Sequence, residues 1–322
     1  MNMVITGIQM ANNMMRIAIA GSGGLAQIIA HEISKTVHPF IILSRQGQPN
    51  LEAHGYQVAL VNYDDQDDLR FNLRGIDVVI STVSGNPQIN LIDAAAHSRV
   101  QRFIPAEYKD KLGGRPTNDP SDRGRAASIE RLRHWAHHPR HRMQYTVFAC
   151  GVFYERFAPG GLASMSISTS TALGYQGSYL MNMETNTAEI AEYNIMGQAI
   201  SVSMTSVNDV AQFIAAALYL DQRTWPIEFR MQGDQKTVTE IVQYAEAIKG
   251  QPFTTTVIAA PELAANIQEA AYYQDHAKVG RLQELSVTEE RRYDFSQINL
   301  NSLVNIQPVS FWDWLRTHWT PR

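Results

Sequence analysis

The 322-residue chain contains one cysteine, Cys150, so no disulfide can form within it, and a reducing compartment, the cytoplasm, is its natural setting. At the end of an apolar run that thiol reads as a small buried hydrophobe. An excess of one charge is also missing: 27 Lys and Arg stand against 31 Asp and Glu, a net charge of -4. That balance excludes the electrostatic footprint of a nucleic-acid binder and a polybasic membrane anchor. No apolar run approaches the ~18 residues of a membrane span. The short apolar stretch from Met3 to Met10 lacks the basic flank and clean cleavage site of a signal peptide, so residues 1–14 read as a poorly ordered leader. Two gaps bear on chemistry: no lysine occurs between Lys111 and Lys236, and no tyrosine is followed four positions on by a lysine. What remains is ordinary for a globular protein, 44% hydrophobic and 18% charged, enough to bury a large core. A small-molecule partner is expected, bound by a monomer or homodimer.

What is present is an alternation of strand and helix. The apolar runs 16–20, 40–43, 56–61, 77–81 and 102–105 are mostly continuous rather than alternating, as parallel strands covered on both faces require. Helical stretches are predicted at 25–34, 66–73, 87–96 and 123–137, with a last strand at 144–149. This pattern predicts an α/β fold, a Rossmann-type doubly wound parallel sheet over residues 15–150, followed by a smaller C-terminal substrate lobe over 151–322 with crossings back to the sheet. In the second part the texture changes at Pro159-Gly160-Gly161, and helices are predicted at 207–220 and at 238–249, the latter with Thr237 as N-cap. The aromatic tail 311–315 reads as packing.

The first strand runs into Gly21-Ser22-Gly23-Gly24-Leu25-Ala26, and a helix follows at once. In that context glycines carry a mechanism: Gly21 permits the tight turn, Gly23 lets the backbone approach a pyrophosphate, and Ala26 allows close helix packing. Helix N–H groups and the helix dipole attract the anion. At the end of the second strand stand Ser44 and Arg45. An acid there suits ribose hydroxyls, whereas the planar fork of an arginine suits a 2'-phosphate, so NADP(H) is the expected cofactor. Asn62 after the third strand is a candidate for the adenine, with a turn asparagine as the plain alternative. Thr82, Val83 and Ser84 follow the fourth strand and Pro105 closes the fifth, so the strand ends converge on one crevice.

These segments, together with 75–81, 90–95, Arg102-Phe103-Ile104-Pro105-Ala106-Glu107-Tyr108 and 153–161, resemble the NmrA-like and isoflavone-reductase-like atypical short-chain dehydrogenases, in their fungal branch. The resemblance covers most of the chain from Met15 onward. It implies hydride transfer between NADP(H) and a small, often aromatic or alkaloid-like, natural product of secondary metabolism. Many reductases of the group place a lysine at the start of the helix after the loop. Here that region reads Arg123-Gly124-Arg125-Ala126, and the lysine is missing, as is the tyrosine and lysine pair of classical short-chain dehydrogenases. Arg125 is the residue that stands in that space, but a guanidinium is a poor proton donor. Replacements are sought in Glu107, Tyr108, Lys109 and Lys111 after the fifth strand, and in Tyr154 and Glu155. The missing lysine leaves two alternatives on the same scaffold: a redox-assisted cyclase of Diels-Alder type, and a non-catalytic NADP-sensing regulator. No metal site is expected, because Pro139 ends the helix directly after His134 and His138 and the arginines around them repel a cation.

Overall fold

The structure, a computed structural model, describes residues 14–117, 119 and 121–320. The expected leader lies outside the described residues apart from Met14, which is exposed. The apolar runs of the first half form β1 (Ile17–Ala20), β2 (Phe40–Ser44), β3 (Val58–Leu60), β4 (Val78–Ser81), β5 (Arg102–Ile104) and β6 (Gln144–Tyr145). They pair in parallel in the order β3-β2-β1-β4-β5-β6. The strand order reverses at β1, so the crevice of this doubly wound α/β sheet opens at the carboxyl ends of β1 and β4. Between the strands run α1 (Gly24–Ser34), α2 (Pro49–Ala53), α3 (Gln66–Asn72), α4 (Asn86–His97) and α5 (Arg125–Ala136). Asp65 caps α3 by accepting the N–H groups of Asp67 and Asp68, and a proline lies in the first turn of α4.

The strand expected at 144–149 is divided at Thr146. Its N–H still donates to Phe103 O in β5 (3.1 Å), but the next, that of Val147, donates to Ile227 O on the other side (2.8 Å). The ladder changes partner there, and β7 (Val147–Ala149) pairs in parallel with a strand from the second half. After a bend at Gly151 the chain continues as β8 (Val152–Phe153), β9 (Met181–Asn182), β10 (Thr187–Ile190), β11 (Ser201–Thr205), α6 (Val207–Ala217), β12 (Glu228–Arg230), β13 (Asp234–Thr237), α7 (Val238–Lys249), β14 (Thr254–Val257), α8 (Leu263–Tyr272), α9 (His276–Glu289) and α10 (Phe311–Trp319).

β12 is the partner of β7, and α6 packs beside α1, where Phe213 and Ile214 join Ile29 and Ile33 in one core. The opposite face of the sheet is covered by α3, α4 and α5 through Leu69, Leu91, Ile92, Ile129 and Leu132. A separate core gathers Tyr154, Phe157, Met204, Ile241, Leu285 and Trp314 around the small sheets β13-β11-β8 and β14-β10-β9. α7 begins as expected at a Thr237 capping box, in which Glu240 answers the threonine. No apolar periodicity announced α8 and α9: α8 buries only Leu263 and Ala270, and the buried stripe of α9 includes Glu284 and Thr288 beside Leu282 and Leu285. Among the described residues no helix is long and apolar enough to cross a membrane.

Candidate active site

The glycine turn joins β1 to α1. Gly21 has φ +106°, and a Cβ on it would run into Thr82 Oγ1. Its N–H donates to Leu43 O (2.9 Å), which locks the turn against β2. Gly23 is the N-cap of α1, with no side-chain cap and no acidic residue in the first turn. No side chain neutralises that helix end, and apart from the Gly24 N–H it suits an anion. Gly24 answers to something else. Its N–H donates to Ser166 O (3.1 Å), and a Cβ on it would strike the Met165 carbonyl, so a strap of the second half lies directly on the turn. Residues 161–165 form a 3-10 turn ending at Ser166, which holds a left-handed φ of +57°.

From this turn a cavity of about 590 Å³ runs along the strand ends. Its wall at the turn is Gly21, Ser22, Gly23, Gly24, Leu25 and Ala26; Ser44 and Arg45 follow from β2, and Thr82, Val83 and Ser84 from β4. Ser44 is buried and shares a hydrogen bond with Ser22 through their hydroxyls (3.1 Å), while Arg45 is exposed and has no carboxylate within ion-pair distance among the described residues. A permanently charged, unneutralised fork beside an uncapped helix N-terminus fits a phosphorylated dinucleotide. Tyr63 lines the same end. Its hydroxyl donates to Leu43 O (3.2 Å), and burial pushes it up to about 12.

At the far end the lining comes from Ala106, Glu107, Tyr108 and Lys109 after β5, Arg125 at the start of α5, Phe153 and Arg156 after the bend at Gly151, and Glu284 and Tyr293 from α9 and the segment beyond it. Glu107 is buried with Arg115 at 2.9 Å, and its Oε1 has no partner among the described residues. Burial raises its pKa, against the pull of Arg115 and Arg125. Tyr108 donates its hydroxyl to Ser81 O (3.0 Å), and burial pushes the phenol far above its ordinary value. Arg125 is committed to Asp110 (2.8 Å) and Asp119 (3.3 Å). Although burial pushes Asp110 up, the guanidinium groups of Arg115, Arg125 and Arg292 outweigh it and hold that carboxyl below its usual range. Lys109 Nζ stands 2.7 Å from Glu284 Oε1, and Tyr293 donates its hydroxyl to the other oxygen of Glu284 (3.0 Å).

The cavity therefore brings together the whole glycine turn, Ser44, Arg45, the residues after β4, Glu107, Tyr108, Lys109 and Arg125. Five expected residues lie outside its lining. Asn62 is a turn residue whose Oδ1 accepts the Asp64 N–H (3.0 Å), and the neighbouring Tyr63 takes the wall instead. Pro105 closes β5, but the wall begins one residue later. Lys111 turns to Asp294 O (3.4 Å). Tyr154 donates to Val309 O (3.2 Å) and packs against Phe311 and Trp314 in the second core, so its phenol is spent on structure. Glu155 is buried beside it and accepts the Val207 N–H (3.0 Å). Sequence reasoning missed Tyr63, Phe153, Arg156, Glu284, Tyr293 and the strap. Tyr63 was one position away from the residue named, whereas Glu284 and Tyr293 sit about 175 residues beyond the loop they face and carried no local signal.

A profile of the NmrA-like family matches residues 14–313. The oxidoreductase swnR of Metarhizium robertsii is 42% identical over 101 residues, 29% of this chain and 33% of that protein. The isoflavone reductase homolog A622 of Nicotiana glauca is 26% identical over 104 residues, 28% of this chain and 34% of that one. The chain thus spans about a third of the length of the curated relatives it matches. Among solved structures, AtPrR2 with NADP+ and (+)pinoresinol superposes with a TM-score of 0.72 at 16% identity, covering 96% of this chain and 100% of the other. The leucoanthocyanidin reductase-NADPH complex from Vitis vinifera superposes with a TM-score of 0.68 at 17% identity, covering 94% and 98%. At such identity these likenesses show a shared fold. The profile match spans nearly the whole chain, and the protein belongs to the NmrA-like family.

Proposed function

We propose that the protein is an NADP(H)-dependent oxidoreductase of secondary metabolism, acting in the cytoplasm as a monomer or homodimer on a small, aromatic or alkaloid-like molecule. The observation that carries this reading is a single cavity that begins at an uncapped helix N-terminus with a free arginine and ends among ionisable side chains. The turn from Gly21 to Ala26 would hold the pyrophosphate, Ser44 and Arg45 the 2'-phosphate, and the backbone from Thr82 to Ser84 the middle of the dinucleotide. When bound, the reduced dinucleotide supplies a hydride. The protein's own part is to orient the substrate, exclude water and move a proton. The relatives are consistent with this: one is named an oxidoreductase, and two structures of the same fold hold NADP+ or NADPH, one of them with (+)pinoresinol.

Titration of NADPH and NADH against the wild type and Arg45→Ala tests the cofactor assignment. Loss of the 2'-phosphate partner should weaken NADPH by about 10- to 100-fold and leave NADH nearly unchanged. An unchanged preference overturns the role of Arg45. Deuterium on the nicotinamide tests the reaction: label in the product supports reduction, and turnover without net cofactor consumption supports a redox-neutral cyclisation instead.

A further inference from the structure

The ionisable groups lining the cavity differ in whether they can exchange a proton. Arg45, Arg123, Arg125 and Arg156 line it and remain charged at any ordinary pH. Three tyrosines line it, and each hydroxyl proton is already donated: Tyr63 to Leu43 O, Tyr108 to Ser81 O and Tyr293 to Glu284. Glu107 gives one oxygen to Arg115, and its side chain has no open surface on which to meet a substrate. What is left is Lys109 with its partner Glu284.

We infer that Lys109 is the proton-transfer residue of this cavity, clamped by Glu284 and Tyr293 so that its ammonium meets the oxygen of a carbonyl substrate. The inference rests on the reductase reading above. Its geometry is specific. The Lys109 carbonyl accepts the Gly151 N–H (2.9 Å), which pins the residue against the bend that carries Phe153 into the same wall. Nζ lies 2.7 Å from Glu284 Oε1 and 5.7 Å from the centre of the Tyr293 ring, and the side chain keeps 23% of its surface open. The remaining charged groups facing this pair are Arg156, 3.8 Å from Glu284 Oε2, Arg125, and Asp110, whose carboxylate attracts the Lys109 ammonium. Burial lowers the pKa of Lys109, Glu284 offsets part of that, and Arg156 and Arg125 add to the lowering. Glu284 is pulled down to about 2: burial opposes this, but Lys109 and Arg156 outweigh it. The clamp therefore stays an anion while the amine beside it gives up its proton more readily than a free lysine.

In the reducing direction a carbonyl carbon accepts hydride from NADPH and forms a C–H bond. The C=O π pair moves to oxygen, and oxygen takes a proton from Lys109 Nζ to become a hydroxyl. The neutral amine recovers a proton from solvent at the open face of the cavity, leaving alcohol and NADP+.

Competitive acetylation with acetic anhydride, from about pH 6 to about pH 10 and read lysine by lysine by mass spectrometry, tests this without a known substrate. Lys109 should be half-modified at lower pH than the exposed Lys35 and the partly exposed Lys278, and Glu284→Gln should move it lower still. In parallel, phenanthrenequinone with NADPH serves as the carbonyl probe. Lys109→Arg keeps the cation opposite Glu284 and should fold and bind NADPH, yet lose about 10²-fold or more in turnover. If Lys109 titrates with the surface lysines or resists acetylation throughout, the inference is overturned. It is equally overturned if Lys109→Arg turns over like the wild type. Failure of the reductase reading shows separately, as a wild type that binds NADPH and reduces no probe.

Discussion

At the scale of single residues, what decides a role is the partner already taken. Tyr154 and Tyr108 both read as candidates for chemistry, but their hydroxyls donate to Val309 O and Ser81 O. Arg125 stands in the space of the missing lysine and is tied to two aspartates. Glu155 shows the converse. It is buried, one oxygen accepts the Val207 N–H, the other has no partner among the described residues, and burial raises its pKa from 4.5 to about 8. The unfolded chain ionises this group near 4.5 and the folded chain only near 8. The stability it contributes is therefore fully present below pH 4.5 and lost as the pH rises toward 8. Glu155→Gln keeps the acceptor for Val207 and removes the titration. In thermal melts the variant should gain on the wild type as pH rises, by on the order of 5 °C at pH 8. A difference in Tm that stays constant from acid to alkali contradicts this account.

At the scale of elements, the glycine turn serves two masters. Gly23 caps α1 and meets only ordinary contact, with Ser166 O at 3.4 Å from an added Cβ, whereas a Cβ on Gly24 would collide with the strap. The two alanine variants should therefore separate. Gly24→Ala should displace the strap, cost about 1–3 kcal/mol in denaturant unfolding and speed proteolysis between Leu162 and Ser170. Gly23→Ala should leave stability within about 0.5 kcal/mol and weaken NADPH binding. Equal stability losses would mean that the strap does not rest on Gly24. The fact that a motif lies between strand and helix was legible in the sequence, because turn, apolar run and helix start are all local. That Gly24 rather than Gly23 carries the strap was not, since Met165 and Ser166 lie about 140 residues further on.

At the scale of the whole molecule, the loop after β5 is held to the second half by a buried ion cluster. Asp110, fully buried, faces Arg115 (3.1 Å), Arg125 (2.8 Å) and Arg292 (2.7 Å), and Asp119 adds a contact to Arg292 (2.7 Å). Removing the central charge leaves two buried guanidinium groups, Arg125 and Arg292, and the partly buried Arg115 short of a partner, so Asp110→Asn should cost about 3–5 kcal/mol in equilibrium unfolding. A loss below about 1 kcal/mol would show that the cluster is not what ties loop to lobe. The folded pKa values of Asp110 and Asp119 lie below 3.8, so their contribution is present above that value and lost as pH falls through the lower folded ones. This is the opposite sign to Glu155, and together they place greatest stability in acidic conditions, where the window above 3.8 meets the one below 4.5.

Sequence alone determined the order of strands and helices in the first half, the position of the glycine turn, Arg45 as the phosphate candidate and the capped start of α7. Each rests on interactions within a few residues, which leave a period or a spacing to read. Tertiary structure decided the rest: the division of the strand at Thr146, where the ladder changes partner; α9, whose buried stripe is partly polar; the strap on Gly24; and the meeting of Lys109 with Glu284. These depend on groups more than a hundred residues apart, or on a buried face that breaks the apolar pattern. Polar residues buried for the sake of a site look, in one dimension, like the surface.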